Sequence, residues 1–257
     1  MREACTLKAR QLGVQIAAKR VCSRLDLEIA PGECWGILGQ NGSGKTSLLH
    51  TLGGLLAPRE GAVYLADCEL KRYPAKKRAR LLGLLLQENQ AAFPQTVWEY
   101  CLTGRYPHVD SFLESEADRA ATRQALAIMQ MSEHRQQNVL TLSGGEGRRL
   151  ALATLFAQDP CLYLLDEPLN HLDLRHQRLL LHYLRERLRE KKIAVLMALH
   201  DINIAEQYCD RVILLSGAGE ARVGTKEEIL TEENMSALYG HPVRLLWEQD
   251  KRWWVVE

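Results

Sequence analysis

The sequence lacks an apolar run long enough to cross a membrane. Its longest near-continuous apolar stretches are Leu81–Leu86 and Ile193–Leu199, whereas a spanning helix needs about 20 such residues. The first residues, Met1–Cys5, lead into no apolar stretch of the kind that a signal peptide contains. We therefore expect the chain to lie on the cytoplasmic side, with no membrane span of its own.

The sequence also lacks an excess of either charge. Lys and Arg together number 33 and Asp and Glu number 32, so the formal net charge is +1. A protein whose main partner is nucleic acid usually carries a clear basic excess, so this balance argues against such a partner. An apolar share of 46% in 257 residues is ordinary for a globular protein of one large domain, or of a core with a smaller unit.

No C-x-x-C pair occurs among the seven cysteines, whose odd number does not suit a full set of disulfides. Scattered cysteines of this kind indicate free thiols in a reducing compartment rather than disulfides or a zinc site. They are Cys5, Cys22, Cys34, Cys68, Cys101, Cys161 and Cys209.

Strand and helix patterns alternate along most of the chain. The N-terminal part, including Leu25–Ile29, alternates apolar and polar residues as antiparallel strands do, and Gly61–Leu70 is a further strand-like stretch. The predicted buried strands are Cys34–Leu38, Leu81–Leu86, Cys161–Leu165 and Ile193–Leu199, and the predicted helices between and around them are Thr46–Leu52, Gly144–Phe156 and His176–Glu190. Such alternation favours a mainly parallel sheet covered on both faces.

A helical insert interrupts this alternation. Glu114–Met131 is rich in Ala, Glu, Arg, Leu and Met and contains no glycine, so we expect it to be helical. We place the insert at about residues 88–140 of a single domain spanning 1–257, which leaves 1–87 and 141–257 as the core. The expected fold is therefore an α/β core with an N-terminal antiparallel β-subdomain and a helical insert.

A glycine-rich segment between a predicted strand and a predicted helix matches the P-loop pattern G-x-x-x-x-G-K-[ST]. Its residues are Gly39, Gln40, Asn41, Gly42, Ser43, Gly44, Lys45 and Thr46, and we include the following Ser47 among the expected nucleotide contacts. Glycines let backbone N–H groups turn toward phosphate oxygens, and the helix that follows adds positive potential. Lys45 is expected to reach the β- and γ-phosphates, and Thr46 to place its hydroxyl on Mg²⁺.

Two acids end the apolar stretch Cys161–Leu165. A carboxylate at the tip of a buried strand beside a P-loop is what a Mg²⁺ site requires, so we assign Asp166 to the metal. Glu167 follows it, and we expect this carboxylate to polarise the attacking water as a general base.

A second anion-binding feature occurs in Leu142–Glu146, where Ser143, Gly144 and Gly145 precede a predicted helix. One nucleotide does not need two such sites unless two chains each supply one. The segment resembles the signature motif of ATP-binding-cassette (ABC) ATPases, and other positions resemble the family in the expected order. Gln87 resembles the Q-loop glutamine, Leu169–Asp173 the D-loop, and His200 the switch histidine.

The resemblance implies a P-loop ATPase that works as a head-to-tail dimer, or as paired cassettes, with two ATP molecules between the chains. Each site would combine Lys45, Thr46, Gln87, Asp166, Glu167 and His200 of one chain with Ser143, Gly144 and Gly145 of the other. Glu167, His200 and Gln87 would then be the catalytic residues. Thr46, Gln87 and Asp166 would hold Mg²⁺.

Four further segments of the sequence resemble, less specifically, the ATPases of importers for iron–siderophore complexes, heme and cobalamin. They lie in Thr96–Glu99, Thr103–His108, Leu172–Gln177 and Ile229–Gly240. This resemblance implies permease subunits, a substrate-binding protein, and a peripheral position on the cytoplasmic face of the inner membrane. The cargo itself stays open, because it does not touch the ATPase subunit.

Other functions remain open at this point. The ATPase could serve another importer or an exporter. A soluble ABC-type machine acting on nucleic acid or ribosomes usually carries a long coiled coil or two cassettes in one chain, and neither occurs here. A P-loop kinase has no use for Leu142–Glu146.

Two aromatic features complete the sequence picture. ABC ATPases usually stack adenine on an aromatic residue near the position that aligns with Ile16, but no aromatic residue occurs before Trp35. We therefore expect the adenine not to be stacked from that position.

Four aromatics cluster at Phe93, Trp98, Tyr100 and Tyr106, and we expect some to pack inside and the others to line a groove for a helix of the permease.

Overall fold

The computed structural model describes residues 5–87, 93–109, 114–190 and 192–257. The predicted beginning of the helical insert, at residue 88, lies outside the described residues, as does the segment 110–113 within it.

The strands form three sheets. In chain order they are β1 (Leu7–Ile16), β2 (Lys19–Ile29), β3 (Cys34–Gly39), β4 (Glu60–Leu65), β5 (Cys68–Glu69), β6 (Leu82–Leu85), β7 (Leu162–Asp166), β8 (Ala194–Ala198), β9 (Arg211–Leu215), β10 (Ala221–Thr225), β11 (Val243–Glu248) and β12 (Lys251–Val256). The central sheet has the order β10-β9-β3-β8-β7-β6. Its neighbours are parallel except for the antiparallel pair β9–β10, so the predicted mainly parallel sheet is confirmed.

A separate antiparallel sheet has the order β2-β1-β4-β5, which confirms the expected N-terminal β-subdomain. The stretch Gly61–Leu70, predicted as one strand, is two strands, so that prediction was wrong in detail. Ala66 and Asp67 both have positive φ angles, 46° and 64°, which turn the chain back between β4 and β5. Leu70 then begins a short 3₁₀ turn.

Helices cover both faces of the central sheet. They are α1 (Lys45–Leu52), α2 (Ala75–Leu81), α3 (Val97–Leu102), α4 (Glu116–Ile128), α5 (Gly144–Gln158), α6 (Leu174–Arg189), α7 (Ile202–Tyr208), α8 (Lys226–Ile229) and α9 (Glu232–Tyr239). The helix predicted over Glu114–Met131 is α4, which is shorter at both ends and begins after a capping box formed by Ser115 and Asp118. Buried residues of α3 and α4 join those of α5 in one apolar cluster.

The core has two parts, one on each face of the central sheet. Along β7, Leu162 and Leu164 belong to the cluster with α1 and the β-subdomain, whereas Tyr163 and Leu165 belong to the cluster with α5 and α6. Each fully buried side chain of this size contributes roughly 1.5–3 kcal/mol. Helices and the β-subdomain cover the two faces of the central sheet. The polar residues that follow its parallel strands therefore lie at the edge where these strands end.

All seven cysteines lie in the described part of the chain as thiols, and all but Cys68 are buried. In the described part of the chain, no helix is long and apolar enough to span a bilayer. Strands β11 and β12 pair as an antiparallel hairpin, called the C-terminal hairpin below.

Candidate functional site

The candidate site lies at the carboxyl ends of the parallel strands β3, β8, β7 and β6, which are neighbours in the sheet. Loops that follow such strands meet at one edge, where open α/β sheets usually bind ligands. The cavity there, called the P-loop cavity below, is lined by Asn41, Gly42, Gly44, Lys45, Thr46, Ser47, Gln87, Glu167 and His200. Residues from four of the predicted features, which are the P-loop, Gln87, the acid pair and His200, therefore meet in one place.

The P-loop runs from the end of β3 to the start of α1, and two of its glycines are required by close approaches. Gly44 has φ of 107°, and a Cβ there would lie 2.5 Å from the side chain of Val21. A Cβ on Gly39 would lie 2.3 Å from Oγ of Ser43. The helix predicted from Thr46 begins one residue earlier, at Lys45, and its N-terminus faces the cavity.

Lys45 is buried under the loop that it follows. Its Nζ donates to the carbonyl oxygens of Gly39 at 2.8 Å and Gln40 at 3.3 Å. Burial lowers the pKa of the ammonium, and the charges of Glu167 and Asp166 oppose this effect. The amine is thus held at the cavity floor with two carboxylates near it.

Asp166 ends β7 and is fully buried, with 0% of its surface exposed. Burial is the main cause that raises the pKa of its carboxyl, while the nearby Thr46 hydroxyl lowers it. Among the described residues, neither carboxylate oxygen has a hydrogen-bond partner of good geometry. A buried carboxylate left in this state fits a bound cation, which would offset the cost of burying the charge.

The donor set matches Mg²⁺ better than a transition metal. The described residues contain no group of three or more His, Cys, Asp or Glu side chains able to hold a metal ion. Mg²⁺ typically takes one or two carboxylates and completes its shell with water and phosphate oxygens. The carboxylate of Asp166 and the hydroxyl of Thr46 offer oxygens of this kind.

Three donors converge on the carboxylate of Glu167. Its Oε1 lies 2.5 Å from Nε2 of His200, and its Oε2 accepts from Nδ2 of Asn170 at 2.6 Å and Nε2 of Gln87 at 3.3 Å. Glu167 itself has a positive φ of 46°, which is uncommon for a residue with a side chain and occurs often at functional sites. The structure thus brings together all three residues that the sequence nominated for catalysis.

Ser143, Gly144 and Gly145 lie elsewhere, at the N-terminus of α5. Ser143 caps the helix, with its hydroxyl 2.7 Å from Oε2 of Glu146, and these bonds lower the pKa of the Glu146 carboxyl. In the described part of the chain, these three residues are not among those that line the P-loop cavity. A Cβ on Gly145 would lie 3.0 Å from the carbonyl oxygen of His171, so the segment borders the predicted D-loop.

Sequence reasoning missed Arg148, a buried arginine on α5. It donates to the carbonyl oxygens of Leu86 at 2.7 Å, Asp166 at 2.6 Å and Glu167 at 2.7 Å. It therefore connects α5, the helix that follows Leu142–Glu146, to the ends of β6 and β7. Its position four residues before the buried Leu152, on the apolar side of α5, was the signal that could have found it.

The turn between β1 and β2 adjoins the P-loop. Nζ of Lys19 donates to the carbonyl oxygen of Gly42 at 2.7 Å, and Ile16 pairs with Lys19 across this turn. Ile16 is 42% exposed. The position expected to lie beside the adenine is thus close to the phosphate loop and presents an aliphatic side chain.

The four clustered aromatics divide in two. Trp98 and Tyr100 are half-buried and pack against the core, whereas Phe93 and Tyr106 are 74% and 76% exposed. Arg105 and His108 fix the segment around Tyr106 by bonding to the carbonyl oxygens at the end of α5.

Comparisons with known proteins find relatives along most of the chain. Residues 22–170 match the family described as ABC transporter. The chain is 38% identical over 241 residues to the hemin import ATP-binding protein HmuV of Gloeobacter violaceus, covering 91% of this chain and 87% of that protein. It is 36% identical over 235 residues to the ferric enterobactin transport ATP-binding protein FepC of Escherichia coli, with the same coverage of 91% and 87%.

Solved structures show the same fold. An inward-facing metal-chelate type ABC transporter matches with a TM-score of 0.83 at 25% identity, over 98% of each chain. A dimeric ATP-binding cassette in a post-hydrolysis state, bound to ADP and phosphate, matches with a TM-score of 0.75 at 25% identity, over 85% of this chain and 98% of that one. Similarity in sequence and in fold therefore extends over most of the chain.

Proposed function

The chain belongs to the ABC transporter family of ATPases, and from that premise we propose that it energises the import of an iron chelate or heme. It is an ATP-hydrolysing subunit of a membrane transporter, and subunits of this family dimerise and work with permease subunits. The observation that carries the cargo class is the similarity to hemin and ferric enterobactin ATPases over nine-tenths of the chain. Cobalamin, a cobalt chelate, is the alternative cargo.

The triphosphate would lie in the P-loop cavity. Backbone N–H groups of the glycine-rich loop Gly39–Gly44 would bind its oxygens, with the side chains of Gln40, Asn41 and Ser43 on the same loop. Lys45 would exchange its bonds to the loop carbonyls for phosphate oxygens, and Ser47 lines the same cavity. The helix N-terminus of α1 adds to the binding of negative charge.

Thr46 and Asp166 would hold Mg²⁺, with Gln87 as the third expected ligand. The unpartnered oxygens of Asp166 support this assignment most directly. When bound, the ion neutralises charge that develops on the phosphate oxygens. The amide of Gln87 now points to Glu167, so it would have to turn toward the metal.

Glu167 would orient and deprotonate the attacking water, which is the step that a carboxylate of this kind can perform. Its contacts with His200 and Asn170 aim the carboxylate into the cavity and restrict its rotamers. His200, on the adjacent strand end, would contact the γ-phosphate once nucleotide is bound.

The second half of each site would come from another copy of the chain. Ser143, Gly144 and Gly145 form an exposed helix N-terminus with space above Gly144. Since they lie outside the cavity of their own chain, a head-to-tail pair would place them against the nucleotide of the opposite chain. ATP would then close the dimer and hydrolysis would open it.

The remaining partners follow from the family. Permease subunits would carry the cargo through the membrane, and a substrate-binding protein would deliver it. This chain would sit peripherally on the cytoplasmic face of the inner membrane.

The test is to purify the chain with the permease encoded beside it and reconstitute the complex in liposomes. We expect the ATPase rate to rise when a binding protein loaded with heme or a ferric siderophore is added. If the ATPase rate rises only with cobalamin, the cargo is the alternative, cobalamin. If the rate rises with none of these compounds, the proposed cargo class is contradicted. The same complex carrying Lys45→Ala is the control for the ATPase measurement.

A further inference from the structure

The end of α9 lies between the P-loop and the segment that carries His200. The side-chain amide of Gln40 donates to the carbonyl oxygen of Leu238 at 2.8 Å. The phenol of the next residue, Tyr239, donates to the carbonyl oxygen of His200 at 2.9 Å. Two consecutive residues of one helix therefore bond to both elements that would face the γ-phosphate.

The phenol occupies a specific place at the start of α7. Its hydroxyl donates to the carbonyl oxygen of His200, in the short segment between β8 and the start of α7 at Ile202. Tyr239 is half-buried, and burial raises the pKa of its hydroxyl. The group therefore stays protonated at neutral pH and can keep donating.

The helix that carries Tyr239 packs into the core. Met235 and Leu238 bury the inner face of α9, and Gly240 ends the helix with φ of 70°. The C-terminal hairpin braces α7 from the other side, because Asn203 exchanges two bonds with the backbone of Trp254, at 2.7 and 3.0 Å. The elements on both sides of the bond between Tyr239 and His200 are thus held by further contacts of their own.

The ring of His200 depends on such support. Its side chain is 42% exposed, so packing alone does not fix its direction. Its bond to Glu167 must give way or rearrange if the ring is to reach a phosphate. The hydrogen bond from Tyr239 then holds the backbone of His200, and the position of this backbone determines where the ring can reach.

We infer that Tyr239 is a positioning residue for ATP hydrolysis, which holds the backbone of His200 in register with the P-loop through the end of α9. The inference rests on the proposed role of His200 and adds to it a residue far along the chain. Loss of the phenol hydroxyl should slow the chemical step and leave nucleotide binding nearly unchanged, because the P-loop contacts do not involve it.

Tyr239→Phe tests this in the full chain, with Tyr73→Phe as the matched control. Tyr73 is also half-buried, and its hydroxyl donates to a backbone carbonyl, that of Leu65, at 2.8 Å, in the β-subdomain. We expect Tyr239→Phe to lower kcat about fivefold, the size of one lost hydrogen bond, with KM for ATP within about twofold of the parent. The control should leave both constants unchanged.

The second readout follows the histidine ring directly. In protein labelled with ¹³C-histidine, the His200 signal is assigned as the one missing in His200→Ala, and it should shift or broaden in Tyr239→Phe but not in Tyr73→Phe. An unchanged kcat, or a lowered kcat with an unmoved His200 signal, would overturn the inference. If His200→Ala retains the parent rate, the proposed role of His200 fails and the inference fails with it, so the two failures are distinguishable.

Discussion

Nε2 of His200 lies 2.5 Å from Oε1 of Glu167, and the two residues follow neighbouring parallel strands, β8 and β7. Parallel pairing aligns the carboxyl ends of these strands, so the two side chains are presented to one cavity from adjacent positions. The contact links the residue proposed to activate water with the residue proposed to contact the γ-phosphate. A change at either one should therefore affect the other.

Glu167→Gln should retain ATP binding and nearly abolish turnover. The amide keeps the shape of the side chain but loses the basic carboxylate, a loss that commonly costs about 10²–10⁴ in rate. The variant should also accumulate as an ATP-bound dimer, which size-exclusion chromatography with ATP and Mg²⁺ would detect. Glu227→Gln, an exposed position on α8, is the control. A monomeric Glu167→Gln variant with parental turnover would remove Glu167 from the mechanism.

Arg148→Met should destabilise the protein and slow hydrolysis together. The substitution keeps much of the buried volume but removes the donors to Leu86, Asp166 and Glu167, whose carbonyl oxygens then lack these bonds. The expected cost is about 2–4 kcal/mol, which lowers Tm by roughly 5–10 °C. Calorimetry and ATPase assays measure both effects.

The adjacent Arg149→Met is the matched control for this prediction. Arg149 is more exposed and bonds more loosely, at 3.4 and 3.1 Å, to the carbonyl oxygens of Met129 and Gln130. Its replacement should change Tm by no more than a few degrees. Equal effects of the two substitutions would show that Arg148 has no special part in joining the motifs.

GTP should be hydrolysed almost as well as ATP. Ile16 offers no aromatic face beside the P-loop, so recognition would depend on the triphosphate and Mg²⁺. Stacking is worth roughly 1–3 kcal/mol per base. Ile16→Tyr should therefore lower KM for ATP, whereas Ile16→Leu should not. A strong preference for ATP in the parent protein, or no effect of the tyrosine, would mean that another residue holds the adenine.

The sequence predicted the parts of the site that local patterns specify. An apolar strand that ends in acids places Asp166 and Glu167, and a glycine-rich turn between a strand and a helix places Lys45. The contacts of Arg148 and Tyr239 were not predictable in this way. Tyr239 meets His200 across 39 residues of chain, and the register of that contact depends on how α9 packs. The turn at Ala66 and Asp67 was missed because it contains no glycine, and aspartate, which tolerates positive φ, is a weaker signal when alanine precedes it.

The segment around Tyr106 is the surface where we expect the permease to dock. Trp98 and Tyr100 are packed against the core, which leaves Phe93 and Tyr106 as the exposed aromatics of the cluster. The side chain of Arg105 pairs with Asp118 at 2.9 Å, so Tyr106 is carried by an ordered segment of the helical region. Exposed aromatic side chains on a fixed backbone suit an apolar helix-in-groove contact.

Tyr106→Ala should leave the basal ATPase rate of the isolated subunit unchanged, because Tyr106 lies outside the P-loop cavity. It should weaken co-purification with the permease and abolish cargo uptake in reconstituted liposomes, since aromatic anchors often account for much of the binding energy of an interface. Trp247→Ala is the control, because Trp247 is also a largely exposed aromatic but lies on the C-terminal hairpin. Normal complex yield and normal uptake with Tyr106→Ala would show that the permease docks elsewhere. If both substitutions reduce complex yield and uptake equally, the effect of Tyr106→Ala is not specific to the segment around Tyr106.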